Sequence, residues 1–167
     1  MPASAYAIHA VCQGNICRSP MAAAVLRQQL HDAVLPAPVQ VASSGTSSEE
    51  SGHPIDPRAA SALAARGYPV DRAHRAGRIS DADLARLDLI LPATFDQRQN
   101  LLRRGAREDR VIMLRQFDPA WAGAGPSRRL DLEDPWYGGR EDFETALDQI
   151  EAAAPGVVEY VRGQLAG

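Results

Sequence analysis

VCQGNICRSP (residues 11–20) places two cysteines, a glycine, an asparagine, an arginine and a serine within ten positions. It directly follows the apolar run Tyr6-Ala7-Ile8-His9-Ala10, which reads as a short buried strand continuing to Val11. After it, Ser19 can cap a helix, Pro20 suits a first turn, and Ala22, Leu26 and Leu30 recur at fourfold spacing. The stretch is therefore a strand-to-helix connection. Four readings of it compete: a metal knuckle, a redox pair, an ordinary turn, or a loop built to hold an oxyanion.

Working outward, Val39-Gln40-Val41-Ala42-Ser43 alternates as a second strand, and the polar segment from Gly45 to Pro54 is a loop. Asp56-Pro57 starts a helix through Ala65, stopped by Gly67. Ser80–Leu87 reads as a short helix and Asp88–Leu91 as a third strand. Thr94–Arg104 is a helix ended by Gly105, and Arg110–Leu114 a fourth strand. Arg115–Gly139 is long and irregular, a length that is usually functional or disordered. Phe143, Leu147, Ile150 and Ala154 form an apolar helical stripe, and Pro155 restarts a helix carrying Val157, Val161 and Leu165. No repeat or linker interrupts the chain, so residues 1–167 are expected to form one domain. Strands alternating with helices predict an α/β fold, with a parallel sheet covered on both faces. Ligands of such sheets bind beyond the carboxyl ends of the strands, where residues 11–20 lie.

The oxyanion reading has a definite chemistry. Backbone N–H groups from Gln13 onward would form a nest, reinforced by the helix dipole. Gly14 permits an unusual backbone angle and Asn15 tolerates one. Arg18 supplies a planar fork matched to two phosphate oxygens. Cys12, at the floor among these donors, would act as a nucleophile, and Ser19 could donate a hydrogen bond to its sulfur. Zinc fits poorly. Two cysteines without a second ligand pair match no usual structural site, and His9, His31, His53 and His74 show no ligand spacing. No metal or other cofactor is expected. Cys17 reads as a small half-buried residue, with a reversible bridge to Cys12 as the alternative.

A departing alkoxide or phenolate needs a proton donor. Three Asp-Pro pairs compete. Asp56-Pro57 reads as a helix start, whereas Asp118-Pro119 and Asp134-Pro135 lie in the long irregular segment where a site-covering loop belongs. Asp134 leads, because Trp136 and Tyr137 follow it and could line a slot for a flat aryl group, although the same pair could serve as core or as a partner patch.

Bulk properties narrow the class. The chain has 167 residues, 45% hydrophobic and 23% charged, as expected of an ordinary globular protein. A formal net charge of -3 advertises no nucleic-acid surface, despite the local cluster of Arg103, Arg104, Arg107 and Arg110. The first ten residues lack the pattern of a secretory signal, and no run is long enough to span a membrane. The expected location is the cytoplasm, with export that needs no signal peptide left open.

Taken together, these residues resemble the low-molecular-weight protein tyrosine phosphatases, in a bacterial-type version. VCQGNICRSP is similar to that family's signature and EDPWYG (residues 133–138) to its acid loop. SSGT (43–46), DPRA (56–59), HRA (74–76), RVIMLRQFDP (110–119) and DFETALDQIEAAAPGV (142–157) extend the resemblance over almost the whole chain. It implies a three-layer, doubly wound sandwich with a four-stranded parallel sheet and the phosphate loop after strand 1. It also implies hydrolysis through a phosphocysteine on Cys12, with Arg18 as phosphate clamp and Asp134 as acid, then base. Gln13, Gly14, Ile16 and Cys17 complete the loop, with Glu49, Trp136 and Tyr137 at its rim. Asn15, Ser19, Ser43 and His74 stand where the family keeps a supporting hydrogen-bond network. Three positions depart from the pattern. Glu49 occupies the place of an aromatic wall residue, Thr94 stands near the place of an aspartate, and Trp136 replaces a frequent tyrosine. The expected activity is hydrolysis of phosphotyrosine in proteins, and of small aryl phosphates, by a monomer. The alternatives are a thiol-coupled arsenate reductase, disfavoured because no cysteine follows Cys17, and a catalytically weak phosphoprotein-binding module.

Overall fold

The computed structural model describes residues 4–167; residues 1–3, which the single-domain expectation includes, lie outside the described residues. Three parallel strands, β1 (Tyr6–Cys12), β2 (Val39–Gly45) and β3 (Leu89–Pro92), form a sheet in the order β2-β1-β3. The crossovers carry α1 (Arg18–Asp32) between β1 and β2, and α2 (Pro57–Ala65) with α3 (Asp81–Arg86) between β2 and β3. After β3 come α4 (Phe95–Arg103), four short 3-10 turns and the long α5 (Arg140–Ala166).

Alternate strand residues face opposite sides of a sheet, and two separate cores follow from that. Ile8, Ala10 and Cys12 of β1 and Leu89 and Leu91 of β3 join α1, α2 and α5 in the larger core. Ala7 and Val11 with Ile90 join Leu84 of α3 and Leu101 of α4 in the smaller. Helices thus cover both faces, and β1, at the centre, is apolar throughout except for His9.

Two expectations need correction. The fourth strand from Arg110 is not formed: Val111 makes a single parallel bridge to Ile90, with Ile112 N–H donating to Ile90 O at 3.0 Å. The ladder cannot extend, because a 3-10 turn at Glu108–Arg110 precedes that bridge and another at Leu114–Phe117 follows it. Nor does Pro155 restart a helix, for α5 runs unbroken through it. Phe143, Ala146, Leu147, Ile150, Ala153, Ala154, Val157, Val158 and Val161 are all buried along one continuous face. That burial outweighs the backbone hydrogen bond a mid-helix proline forfeits.

Candidate active site

The connection after β1 is held against the end of β2. Thr46 N–H donates to Cys12 O at 2.9 Å and Ser47 N–H to Gln13 O at 3.1 Å. Gly45 has to be glycine for this approach, since a Cβ there would lie 2.5 Å from Gln13 O. The helix begins at Arg18 with Cys17 in the cap position, so Ser19 is not the cap its sequence context suggests. Its hydroxyl lies 3.1 Å from Cys12 Sγ instead.

Asn15 organises the loop. It is 1% exposed and holds φ at 61°, a left-handed conformation that asparagine tolerates better than most residues. Its N–H donates to Cys12 Sγ at 3.3 Å. Its side-chain amide donates to Ser19 Oγ at 2.8 Å and Ser43 Oγ at 3.0 Å, and its Oδ1 accepts from Gly77 N–H at 3.1 Å. Its carbonyl lies 2.8 Å from His74 Nε2. Because a carbonyl only accepts, that nitrogen must carry a proton. Ser43 and His74, expected as loop supports, are brought to the loop.

Cys12 is 3% exposed and sits in a cleft of about 190 Å³. Residues 13–18 line it on one side, Glu49 and Glu50 on a second, and Asp134, Trp136 and Tyr137 on a third. Every expected substrate-contacting residue except Ser19, which lies beneath the loop against the sulfur, lines this cleft. Arg18 is 6% exposed; its Nη1 donates to Leu132 O at 3.3 Å and its Nη2 to Asp134 Oδ2 at 3.4 Å. Asp134 Oδ1 accepts from Trp136 N–H at 3.1 Å. Glu49 is exposed and accepts from Gln13 Nε2 at 3.3 Å. A groove of about 640 Å³ between α1 and the start of β2 is larger, but none of the candidate catalytic residues lines it.

Cys17 is 5% exposed, more buried than expected. Burial, with the nearby Asp56 and Cys12, pushes its thiol well above the ordinary range. Both cysteines are free. Asp118 is not at the site and caps the 3-10 turn Pro119–Trp121 through Ala120 N–H. Asp56 caps α2, as expected. Burial alone would raise its pKa, but hydrogen bonds from Arg58 outweigh that and lower it. Thr94 caps α4. Arg104 and Arg107 of the basic region pair with Asp81 and Asp109, and Arg110 Nη1 donates to Leu87 O at 3.1 Å.

Two residues at the site escaped sequence reading. Glu50 packs on the loop, its Cγ 3.2 Å from where a Cβ on Gly14 would sit, and pairs with His53 at 2.5 Å. Arg58 bridges α2 to the loop of Trp136. An arginine two residues after an Asp-Pro start was visible as a helix-cap partner, but nothing in the sequence joins it to a loop nearly eighty positions away. Among the described residues, no group of three His, Cys, Asp or Glu side chains could hold a metal ion, and no helix is long and apolar enough to cross a membrane.

The chain is 41% identical to a low molecular weight protein-tyrosine-phosphatase of Streptomyces coelicolor over 97% of either chain. It is 42% identical to low molecular weight protein-tyrosine phosphatase A of Mycobacterium tuberculosis, over 93% of this chain and 91% of that one. Among solved structures, a protein tyrosine phosphatase from Entamoeba histolytica superposes with a TM-score of 0.83 at 26% identity, covering 96% of this chain and 99% of that one. An arginine phosphatase from Geobacillus stearothermophilus superposes at 0.77 with 27% identity, covering 95% and 94%. The family model for low molecular weight phosphotyrosine protein phosphatase matches residues 7–166, and the chain belongs to that family.

Proposed function

We propose that this chain is a protein tyrosine phosphatase that works through a phosphocysteine on Cys12. One observation carries the reading. A buried thiol and a buried arginine of one loop, and a carboxylate more than a hundred positions away, line one cleft whose outer wall is aromatic. Gly14, Ile16 and Cys17 N–H donate to no acceptor among the described residues, which leaves them for a bound oxyanion.

In the first step Cys12 Sγ attacks phosphorus in line. The S–P bond forms as the bond to the leaving oxygen breaks, and Asp134 passes its proton to that oxygen. Water then attacks the phosphocysteine and gives a proton back to Asp134. The S–P bond breaks, and the Ser19 hydroxyl and Asn15 N–H stabilise the departing sulfur. Arg18 turns its fork to two phosphate oxygens in both steps. Trp136 and Tyr137 form the aryl slot, and Gln13, Glu49 and Glu50 the facing rim. Phosphotyrosine-bearing proteins are the substrates, met in the cytoplasm by a monomer.

Turnover of p-nitrophenyl phosphate and of a phosphotyrosyl peptide, abolished by Cys12→Ser, is the expected result. Absence of turnover in the wild type, or its persistence in Cys12→Ser, rejects the reading. The arginine phosphatase neighbour favours one competing substrate, so phosphoarginine is run alongside. Faster turnover of phosphoarginine than of phosphotyrosine would overturn the assignment of the aromatic slot.

A further inference from the structure

Residues 134–138 carry the candidate acid, and their attachment to the rest of the protein is sparse. The entry to this loop is fixed by Leu132 N–H to Ala93 O at 2.9 Å and Glu133 N–H to Gln149 Oε1 at 3.1 Å. Its exit is fixed by Gly139 N–H to Asp142 Oδ2 at 2.8 Å. Between those points, Gly138 N–H to Pro135 O and Trp136 N–H to Asp134 Oδ1 are bonds within the loop itself. Among the described residues, hydrogen bonds tie this stretch to other elements through two arginines. Arg18 reaches Asp134, and Arg58 Nη1 donates to Trp136 O at 3.1 Å and Gly138 O at 3.4 Å.

Arg58 does this from a fixed position. Its Nε and Nη2 donate to both oxygens of Asp56, at 3.1 and 3.0 Å, leaving Nη1 aimed at the loop. Asp56 is 7% exposed, and its own N–H donates to Ile16 O in the phosphate loop at 2.9 Å. The guanidinium carbon also lies 5.3 Å from the Trp136 ring centroid and 4.8 Å from that of Phe143. A continuous path therefore runs from Ile16 through Asp56 and Arg58 to Trp136. Trp136 is gripped at both ends of its backbone, with its N–H on the Asp134 carboxylate and its carbonyl on Arg58.

We propose that Arg58 is a positioning residue for proton transfer: it holds Asp134 in place by fixing Trp136, and so registers the acid against the phosphate loop. This rests on Asp134 being the acid. Arg58 touches neither the nucleophile nor the phosphate site, so its loss acts on protonation of the leaving group.

The test is the leaving-group dependence of kcat/KM over a series of aryl phosphates, from nitrophenol to unsubstituted phenol. In the wild type the acid neutralises the leaving oxygen and the dependence is shallow. Arg58→Met is expected to lose on the order of 10- to 100-fold for the poorest leaving group and much less for the best. Competitive inhibition by inorganic phosphate should stay within about twofold if the nest is intact. Arg58→Lys keeps a cation for Asp56 but cannot span both carboxylate oxygens and the loop carbonyl. It is expected to show the same selective loss in a stably folded protein. On an Asp134→Asn background, either Arg58 substitution should add little further, the signature of acting through one group. An equal loss for all leaving groups, weakened phosphate inhibition in Arg58→Lys, or full additivity with Asp134→Asn would overturn the proposal. A chain with no Cys12-dependent turnover would instead reject the enzymatic reading itself.

Discussion

Replacing Asn15 with alanine tests the loop most directly. The alanine keeps the backbone contacts to Cys12 Sγ and His74 but removes the bonds to Ser19 and Ser43 and the one from Gly77 N–H. Three neutral hydrogen bonds at roughly 1 kcal/mol each contribute about 3 kcal/mol. Alanine at φ 61° adds about 1 kcal/mol of backbone strain that asparagine avoids. The expected destabilisation is therefore about 4 kcal/mol, a large share of the roughly 5 to 15 kcal/mol available to a domain. At a urea m-value of about 2 kcal/mol/M, the unfolding midpoint falls by about 2 M. Asn15→Gly loses the same bonds without the strain, and its midpoint should lie above that of the alanine variant. Equilibrium urea unfolding read by tryptophan fluorescence measures both. A midpoint shift under about 0.5 M for Asn15→Ala, or a glycine variant less stable than the alanine one, refutes the account.

Asp134→Asn should slow phosphoenzyme formation from poor leaving groups far more than from good ones, while Asp118→Asn leaves the leaving-group dependence unchanged. The reverse pattern would move the acid to Asp118. Iodoacetamide at neutral pH should label Cys12 and spare Cys17, whose thiol burial keeps protonated, with inorganic phosphate protecting Cys12; peptide mapping that finds Cys17 labelled first would contradict this. Burial lowers the pKa of His9 from 6.5, an effect reinforced by Arg86 and opposed by Asp83, and Ser44 Oγ lies 3.0 Å from its Nδ1. Below pH 6.5 the unfolded chain therefore binds a proton that the folded one resists, so stability falls as pH drops, by at most about 1.4 kcal/mol per pH unit. The lowered pKa values of Asp56 and Asp83 act in a separate window: they add stability above about pH 4 and lose it as pH falls further. Thermal unfolding between pH 7 and 5 should show the His9 slope in the wild type and a flatter one in His9→Asn. Equal slopes would show that His9 is not the group responsible.

What the sequence discloses is what local physics dictates. The Cys12–Ser19 loop was legible because its strand, glycine, asparagine and helix start are contiguous. The apolar runs of β1 and β3 and the Asp56-Pro57 start of α2 follow from the same short-range rules. The fourth strand misled because Val111, Ile112 and Met113 suit a strand, while whether they pair depends on the turns at either end. Pro155 misled for the opposite reason, a local rule overruled by nine buried positions along one helix face. Glu50 and Arg58 were missed because a charged side chain acquires a role only from what the fold sets beside it.

The choice among the three Asp-Pro pairs shows where that limit lies. Each aspartate does the same thing locally, its Oδ1 accepting the N–H two residues on: Arg58 at 2.8 Å, Ala120 at 2.8 Å and Trp136 at 3.1 Å. Proline between the partners fixes the backbone that permits this, so the dipeptide alone predicts the turn three times and the acid never. The second oxygen separates them. In Asp56, which is buried, it is spent on Arg58 at 3.0 Å. In Asp118 it has no hydrogen-bond partner among the described residues, and no candidate site residue stands beside it. In Asp134 it faces Arg18 at 3.4 Å across the cleft, on a side chain 46% exposed, where a leaving oxygen can reach it. The proposed donor thus combines a local bond that fixes the direction of its carboxylate with a second oxygen that opens on the cleft and meets only Arg18, the proposed phosphate clamp. Only the fold supplies the second feature, and it does so through Arg18 and, on the inference above, through Arg58.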